Sequence, residues 1–154
     1  MMAASKTLSS VLVSFTILSC LSLYAKATEY QDCGSAGQVL SVDLTGCDLP
    51  PCIVARPNNY SIGITFVAAK DAQSLDTQLM VTVSSSEQVP WPAPSACGLM
   101  GDKTCPITEG ETYAYVLTMQ VRPEYPQIAV LVATSLVDED GVVHACVELP
   151  ITVV

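Results

Sequence analysis

The chain has 154 residues, half of them apolar, with 15 acidic residues against six basic ones, one histidine and a formal charge of −9. So acidic a chain repels phosphate backbones and anionic lipid surfaces, which excludes nucleic acid as a partner and adsorption to acidic membranes through a basic patch. Seven cysteines without a single Cys-x-x-Cys pair argue for disulfides in an oxidising compartment and against a zinc site.

Met1–Lys6 is a weakly basic start, Leu8–Leu23 an apolar run, and Ala25-Lys26-Ala27 the small-x-small pattern at which a secretion signal is cut. The run falls short of the about 20 apolar residues that a membrane span requires. Residues 1–27 therefore read as a signal peptide, and no stable membrane insertion is expected. Its removal leaves residues 28–154 as one domain with six cysteines. The basic residues left are Arg56, Lys70, Lys103 and Arg122, and the formal charge becomes −11.

Along that domain the apolar residues alternate with the period of strands. Leu40, Val42 and Leu44 share one face, as do Ile62, Ile64 and Phe66, then Leu79, Val81 and Val83. A short piece, Ile53–Arg56, stands between the first two of these. Tyr113, Tyr115, Leu117, Met119 and Val121 mark a long strand. Ile128–Val137 is apolar on nearly both faces, as a strand buried on two sides would be. Val142–Val153 closes the chain, with Pro150 limiting how far it pairs. About seven strands result, with no amphipathic helix and no βα alternation, which predicts an all-β sandwich of two antiparallel sheets.

The connectors carry turn chemistry: Asp48–Pro51, Arg56-Pro57-Asn58-Asn59, and the hairpin Asp138-Glu139-Asp140-Gly141. Val89-Pro90-Trp91-Pro92-Ala93-Pro94 is unusual, because three alternating prolines cannot pair inside a sheet. It reads as a stiff, extended loop that holds up the only tryptophan. Trp91 then either caps the core or gates a cavity, and a second aromatic-proline element, Pro123-Glu124-Tyr125-Pro126, is placed to face it. Cys47 and Cys52 flank a Pro-Pro turn, and Cys97 and Cys105 flank Gly98–Thr104, so a local bridge is easy at both. Cys33 and Cys146 would then join the first strand region to the last, though six cysteines allow many pairings.

Chemistry for catalysis is absent from the pattern. His144 is the only ordinary base, it sits two residues before Cys146 on a strand, and no Gly-x-Ser-x-Gly elbow exists to partner it. Asp138–Gly141 lacks the spacing and terminal glutamate of a calcium loop, so neither enzyme, metal nor cofactor is expected. Asn59-Tyr60-Ser61 is the only glycosylation sequon. With Phe66 the only phenylalanine after the signal, the inward positions are mostly Val, Ile, Leu and Ala. Sheets so lined either close tightly or stay apart around a void that needs an apolar occupant.

Several motifs occur together in a fixed order. They are Asp32-Cys33-Gly34-Ser35, Cys47-x4-Cys52, Pro90-Trp91-Pro92, Cys97…Cys105-Pro106-Ile107, Tyr113-x-Tyr115, Val121-x-x-Glu124-Tyr125-Pro126 and Cys146-x-Glu148-x-Pro150. This set, spanning residues 32–154, resembles the ML family of secreted lipid-recognition domains, most of all its sterol-transfer branch. The resemblance implies an immunoglobulin-like sandwich splayed around an apolar tunnel, with bridges Cys33–Cys146, Cys47–Cys52 and Cys97–Cys105. Trp91, Val121 and Tyr125 match the family's pocket positions, Trp91 standing where the sterol carriers have Phe, and Val89, Pro92, Phe66 and Tyr60 are expected nearby.

In function the resemblance implies a secreted, monomeric carrier of a sterol or similar lipid, working outside the cell or in the endosomal and lysosomal lumen. Such a carrier hands its cargo to a membrane-bound receiving protein. The alternative the family offers is an immune lipid-recognition or co-receptor module for microbial lipids.

Overall fold

The computed structural model describes residues 27–85 and 87–154. The expected signal peptide, apart from Ala27, therefore lies outside the described residues. Among the described residues nine strands form: β1 (Gln31–Asp32), β2 (Gln38–Leu44), β3 (Cys52–Val54), β4 (Asn59–Val67), β5 (Leu75–Ser84), β6 (Glu87–Trp91), β7 (Thr112–Gln120), β8 (Ala129–Asp138) and β9 (Val143–Val153). They build a six-stranded sheet in the order β1-β9-β8-β5-β6, with β3 also on β9, and a three-stranded sheet β2-β4-β7. Every pairing is antiparallel except β3 on β9. The only helix among the described residues is the 3₁₀ turn Ala96–Gly98.

All seven expected strands are present; β1 and β6 are additional. The expected proline-rich loop is half strand, since Pro90 sits opposite Met80 in the β5–β6 pair. The reason is its place at the sheet edge, where a strand needs donors on one side only and tolerates a proline. Pro150 does not limit pairing with β8 either, for the ladder runs through Leu131↔Pro150 to Ala129↔Thr152. On the other side of β9, β1 is paired at Val147 and Glu148 and β3 from Ile151 to Val153. Pro150 stands at the gap between them.

The bridges are Cys33–Cys146, Cys47–Cys52 and Cys97–Cys105. The first closes 113 positions of sequence and anchors the short β1 to β9. The Asp138–Gly141 hairpin forms as its turn residues require. Gly141 takes φ 81°, and the Asp138 N–H donates to the Val142 carbonyl at 3.0 Å.

Gly37, just ahead of β2, is wedged between the two sheets. A Cβ there would lie 2.3 Å from the Val67 carbonyl oxygen and 2.5 Å from that of His144. Both are backbone atoms, one from each sheet, so neither yields without moving a strand. Gly37→Ala is expected to destabilise the fold by about 1–3 kcal/mol, the range for forced overpacking. A urea midpoint equal to the parent's would show that this close approach is not needed.

Candidate functional site

Each long strand crosses from a packed half of the sandwich into a hollow half. On β4, Ile64 and Phe66 are fully buried, and the Phe66 ring stacks on Tyr113 with centroids 5.9 Å apart. The next inward residues on the same strand, Ile62 and Tyr60, line a cavity instead. On β8 the change falls between Leu136, wholly buried, and Thr134, Val132 and Val130, which line the cavity. The physical cause is side-chain size. Packed sheets stand about 10 Å apart, a gap that Phe66, Tyr113, Tyr115 and Met100 fill and that facing valines do not.

The hollow holds about 240 Å³, and its walls are almost wholly apolar. Val81, Val83 and Leu79 come from β5, Leu149, Ile151 and Val153 from β9, and Met119 and Val121 from β7 and its exit. Trp91, Tyr125 and Pro126 stand at its open end. Trp91 and Tyr125 meet edge to face, with centroids 5.2 Å apart and planes at 89°, a favoured aromatic geometry. The same two rings, with Met119 and Gln120, also border a shallow outer depression that includes Pro92, Pro94 and Arg122. They form the partition between the hollow and solvent, and Trp91 is 38 % exposed.

Arg56 holds that partition from behind, its Nη1 donating to the carbonyls of Pro123 at 2.9 Å and Tyr125 at 2.5 Å. Tyr60 is fixed by the Ala55 N–H, which donates to its hydroxyl at 2.8 Å.

Of the residues singled out in the sequence, the structure therefore brings Trp91, Val121, Tyr125 and Tyr60 together around one cavity. It does not bring the other three. Phe66 belongs to the packed end, because the sandwich closes between Ile62 and Ile64. Val89 shares a face with its cross-strand partner Val81 but lies exposed at the sheet edge. Pro92 faces the outer depression. Asn59 is exposed at the start of β4. Sequence reasoning passed over most of the wall, including Met119, Val130, Val132 and Ile151; their alternation was visible, but it does not distinguish hollow from packed positions.

The single histidine lies far from this cavity in function. His144 is fully buried. Its Nδ1 accepts from the Ala69 N–H at 3.2 Å, which leaves Nε2 carrying the proton and donating to Asp138 Oδ2 at 3.1 Å. Asp138 Oδ1 accepts from the Asp140 and Val142 N–H groups, and Lys70 lies 3.6 Å from Oδ2. Glu139 accepts from the Gln73 and Ser74 backbone. The acidic hairpin thus clamps β8 and β9 to the segment between β4 and β5. The Ser74 hydroxyl also donates to Glu139 Oε2 at 3.0 Å, so the polar atoms of this cluster are spent on structure.

The pattern of the ML domain family matches residues 27–153. The chain belongs to the ML-domain family. It is 36 % identical to NPC intracellular cholesterol transporter 2 homolog a of Drosophila melanogaster over 146 residues, covering 90 % of this chain and 97 % of that protein. With NPC intracellular cholesterol transporter 2 of Bos taurus the identity is 32 % over 133 residues, 86 % of this chain and 89 % of the relative. Among solved structures, a Niemann-Pick type C2 protein from Japanese carpenter ant superposes with a TM-score of 0.72 at 20 % identity, covering 82 % of this ML domain chain and 99 % of the other. Chicken MD-1, solved with lipid IVa, gives 0.51 at 17 % identity, covering 79 % and 85 %. At these identities the structural likenesses establish a shared fold. No helix among the described residues is long and apolar enough to cross a membrane.

Proposed function

We propose that this ML domain is a carrier that takes a sterol or similar single lipid into the hollow between its sheets and transfers it without chemical change. The observation that carries this reading is the apolar hollow itself, with the Trp91–Tyr125 pair at its open end. The identity to cholesterol transporters across nearly the whole chain supports the same cargo class. In this reading residues 1–27 are a secretion signal and the monomeric carrier works outside the cell or in the endosomal and lysosomal lumen. It delivers to a membrane-bound receiving protein.

The energetics suffice. A guest hiding about 400 Å² of apolar surface gains on the order of 10 kcal/mol at ~25 cal/mol/Å². Lost translation and rotation take back several kcal/mol, leaving micromolar-to-nanomolar binding. Ligand pockets for molecules of this class hold about 300–1,000 Å³, above the 240 Å³ present here. Loading therefore requires the walls to part, and Trp91 and Tyr125 are the walls nearest solvent. A multi-chain microbial lipid would need far greater opening, and the strongly acidic chain repels its phosphates, so the co-receptor reading is the weaker one.

The test is a titration of the purified protein with a fluorescent sterol, competed by cholesterol and by a fatty acid, with native mass spectrometry for stoichiometry. Saturable one-to-one binding that cholesterol displaces is expected. An unsaturable signal, with no retained lipid mass, overturns the reading.

A further inference from the structure

Between β7 and β8 the chain crosses the open end of the hollow as an arch, residues 122–127. Its two feet are pinned. The Val121 N–H donates to the Asn58 carbonyl at 2.8 Å, and the Ile128 carbonyl accepts from the Val153 N–H at 3.0 Å. Between the feet only Tyr125 is drawn inward; Arg122, Pro123, Glu124, Pro126 and Gln127 are exposed. The Tyr125 N–H donates to the Arg122 carbonyl, the Ile128 N–H to the Pro126 carbonyl, and Arg122 pairs with Glu124. All of these are local to the arch and its foot. Among the described residues, the hydrogen bonds that tie the arch to the rest of the fold come from one atom, Arg56 Nη1.

The other side of the opening is built differently. Trp91 ends β6 in register with Leu79 of β5, so its backbone belongs to a sheet. Arg56 is firmly seated as well. Its own N–H donates to the Val154 carbonyl at 3.0 Å, and the Val154 N–H to the Val54 carbonyl at 2.9 Å. Its side chain is engaged more lightly. No carboxylate among the described residues lies within ion-pair reach of the guanidinium, although the chain carries 15 acidic residues, and the buried Nε has no partner there. A guanidinium paired with a carboxylate is held by two parallel charge-assisted bonds. Two bonds to neutral carbonyls are weaker, and are broken and remade more readily.

We propose that Arg56 is the latch of the entrance: the arch carrying Tyr125 swings outward when Arg56 Nη1 releases it, while Trp91 stays in its sheet. This rests on the carrier reading above and names the residue that sets how fast cargo enters and leaves. Arg56 does not line the hollow, so it is a positioning residue that acts on the guest only through Tyr125. Its bonds to the arch are made in the closed form whether the hollow is filled or empty. Losing them eases opening equally in both directions, so uptake and release quicken together and the dissociation constant stays where it was. A wall residue behaves otherwise, because its loss weakens the loaded form and shows in release.

The experiment compares the parent with Arg56→Met by stopped flow, with a fluorescent sterol for uptake and an excess of unlabelled cholesterol to follow release. Methionine keeps an apolar stem in place of the arginine's and removes every donor. Both rates are expected to rise by about tenfold or more, the worth of one net hydrogen bond to a charged group, at an unchanged dissociation constant. In the ligand-free variant the fluorescence of Trp91, the only tryptophan, is expected to be quenched more steeply by acrylamide, as Tyr125 leaves its edge-to-face contact. Parental rates, parental quenching, or a loss of affinity carried by release alone overturns the assignment. If Arg56→Met melts below the assay temperature, Arg56→Gln takes its place, since its amide nitrogen ends where Nε stands, short of both carbonyls. Failure of that variant to fold makes Arg56 a structural strut and ends the latch. If the parent takes up no sterol, it is the carrier reading that has failed, and the acrylamide comparison still decides whether Arg56 holds the arch.

Discussion

Val121→Phe is expected to block sterol uptake while leaving the fold intact. Val121 follows β7, its backbone N–H held by the Asn58 carbonyl at 2.8 Å, and its side chain lines the hollow beside Tyr125. The backbone cannot swing away without giving up that bond, so an added ring must enter the cavity. The 240 Å³ available is already below what a sterol needs. Forcing guest and ring together costs about 1–3 kcal/mol by analogy with overpacked cores, or about 5- to 150-fold in Kd at 1.4 kcal/mol per decade. Without a guest, the ring fills empty space and the melting temperature should hold or rise. Displacement curves identical to the parent's would remove Val121 from the binding surface.

Asp138→Ala is expected to be the most damaging change to stability, at about 3–5 kcal/mol, because it leaves one partner of a buried pair alone. His144 Nε2 would lose its only acceptor, and the Asp140 and Val142 N–H groups theirs. The pH dependence follows from the same geometry. Burial works against ionisation of Asp138, yet the Val142 N–H, His144, the Asp140 N–H and Lys70 together hold its carboxyl below the usual range. Backbone donors from Gln73 and Ser74 bring Glu139 from 4.5 down to about 2.

With folded values below unfolded ones, the unfolded chain binds more protons in the acid range. The stability these groups supply is then complete above the ordinary carboxylate range and is lost as pH falls through the folded values. Urea midpoints should therefore stay level from neutral pH to about 4.5 and decline toward about 2, the span that Glu139 sets. Asp138→Ala should show a lower and flatter curve. Loss of parent stability well above the carboxylate range would contradict this account. The fold is thus expected to persist at mildly acidic pH.

Much was legible in the order of residues because it depends on local physics. Strict alternation over Tyr113–Val121 makes a strand wherever that segment lies, and Asp138–Gly141 makes a hairpin from its own turn preferences. An even cysteine count beyond the expected signal peptide implies bridges, and an ordered set of short motifs carries the family. These are decided within a few residues of chain, or by a count, and the fold class follows from them.

Tertiary structure alone decided where the sandwich is empty. Phe66 and Tyr60 lie on the same face of β4, six residues apart, and nothing in their alternation says that one packs on Tyr113 while the other faces a hollow. That depends on which side chains arrive from the opposite sheet: bulky rings at one end, valines at the other. Pro90 could be a strand residue only because β6 became an edge, and His144 a strut only because Ala69 and Asp138 reach it from distant positions. Alternation sets which way a side chain points, and only the packing of two sheets sets what it meets there.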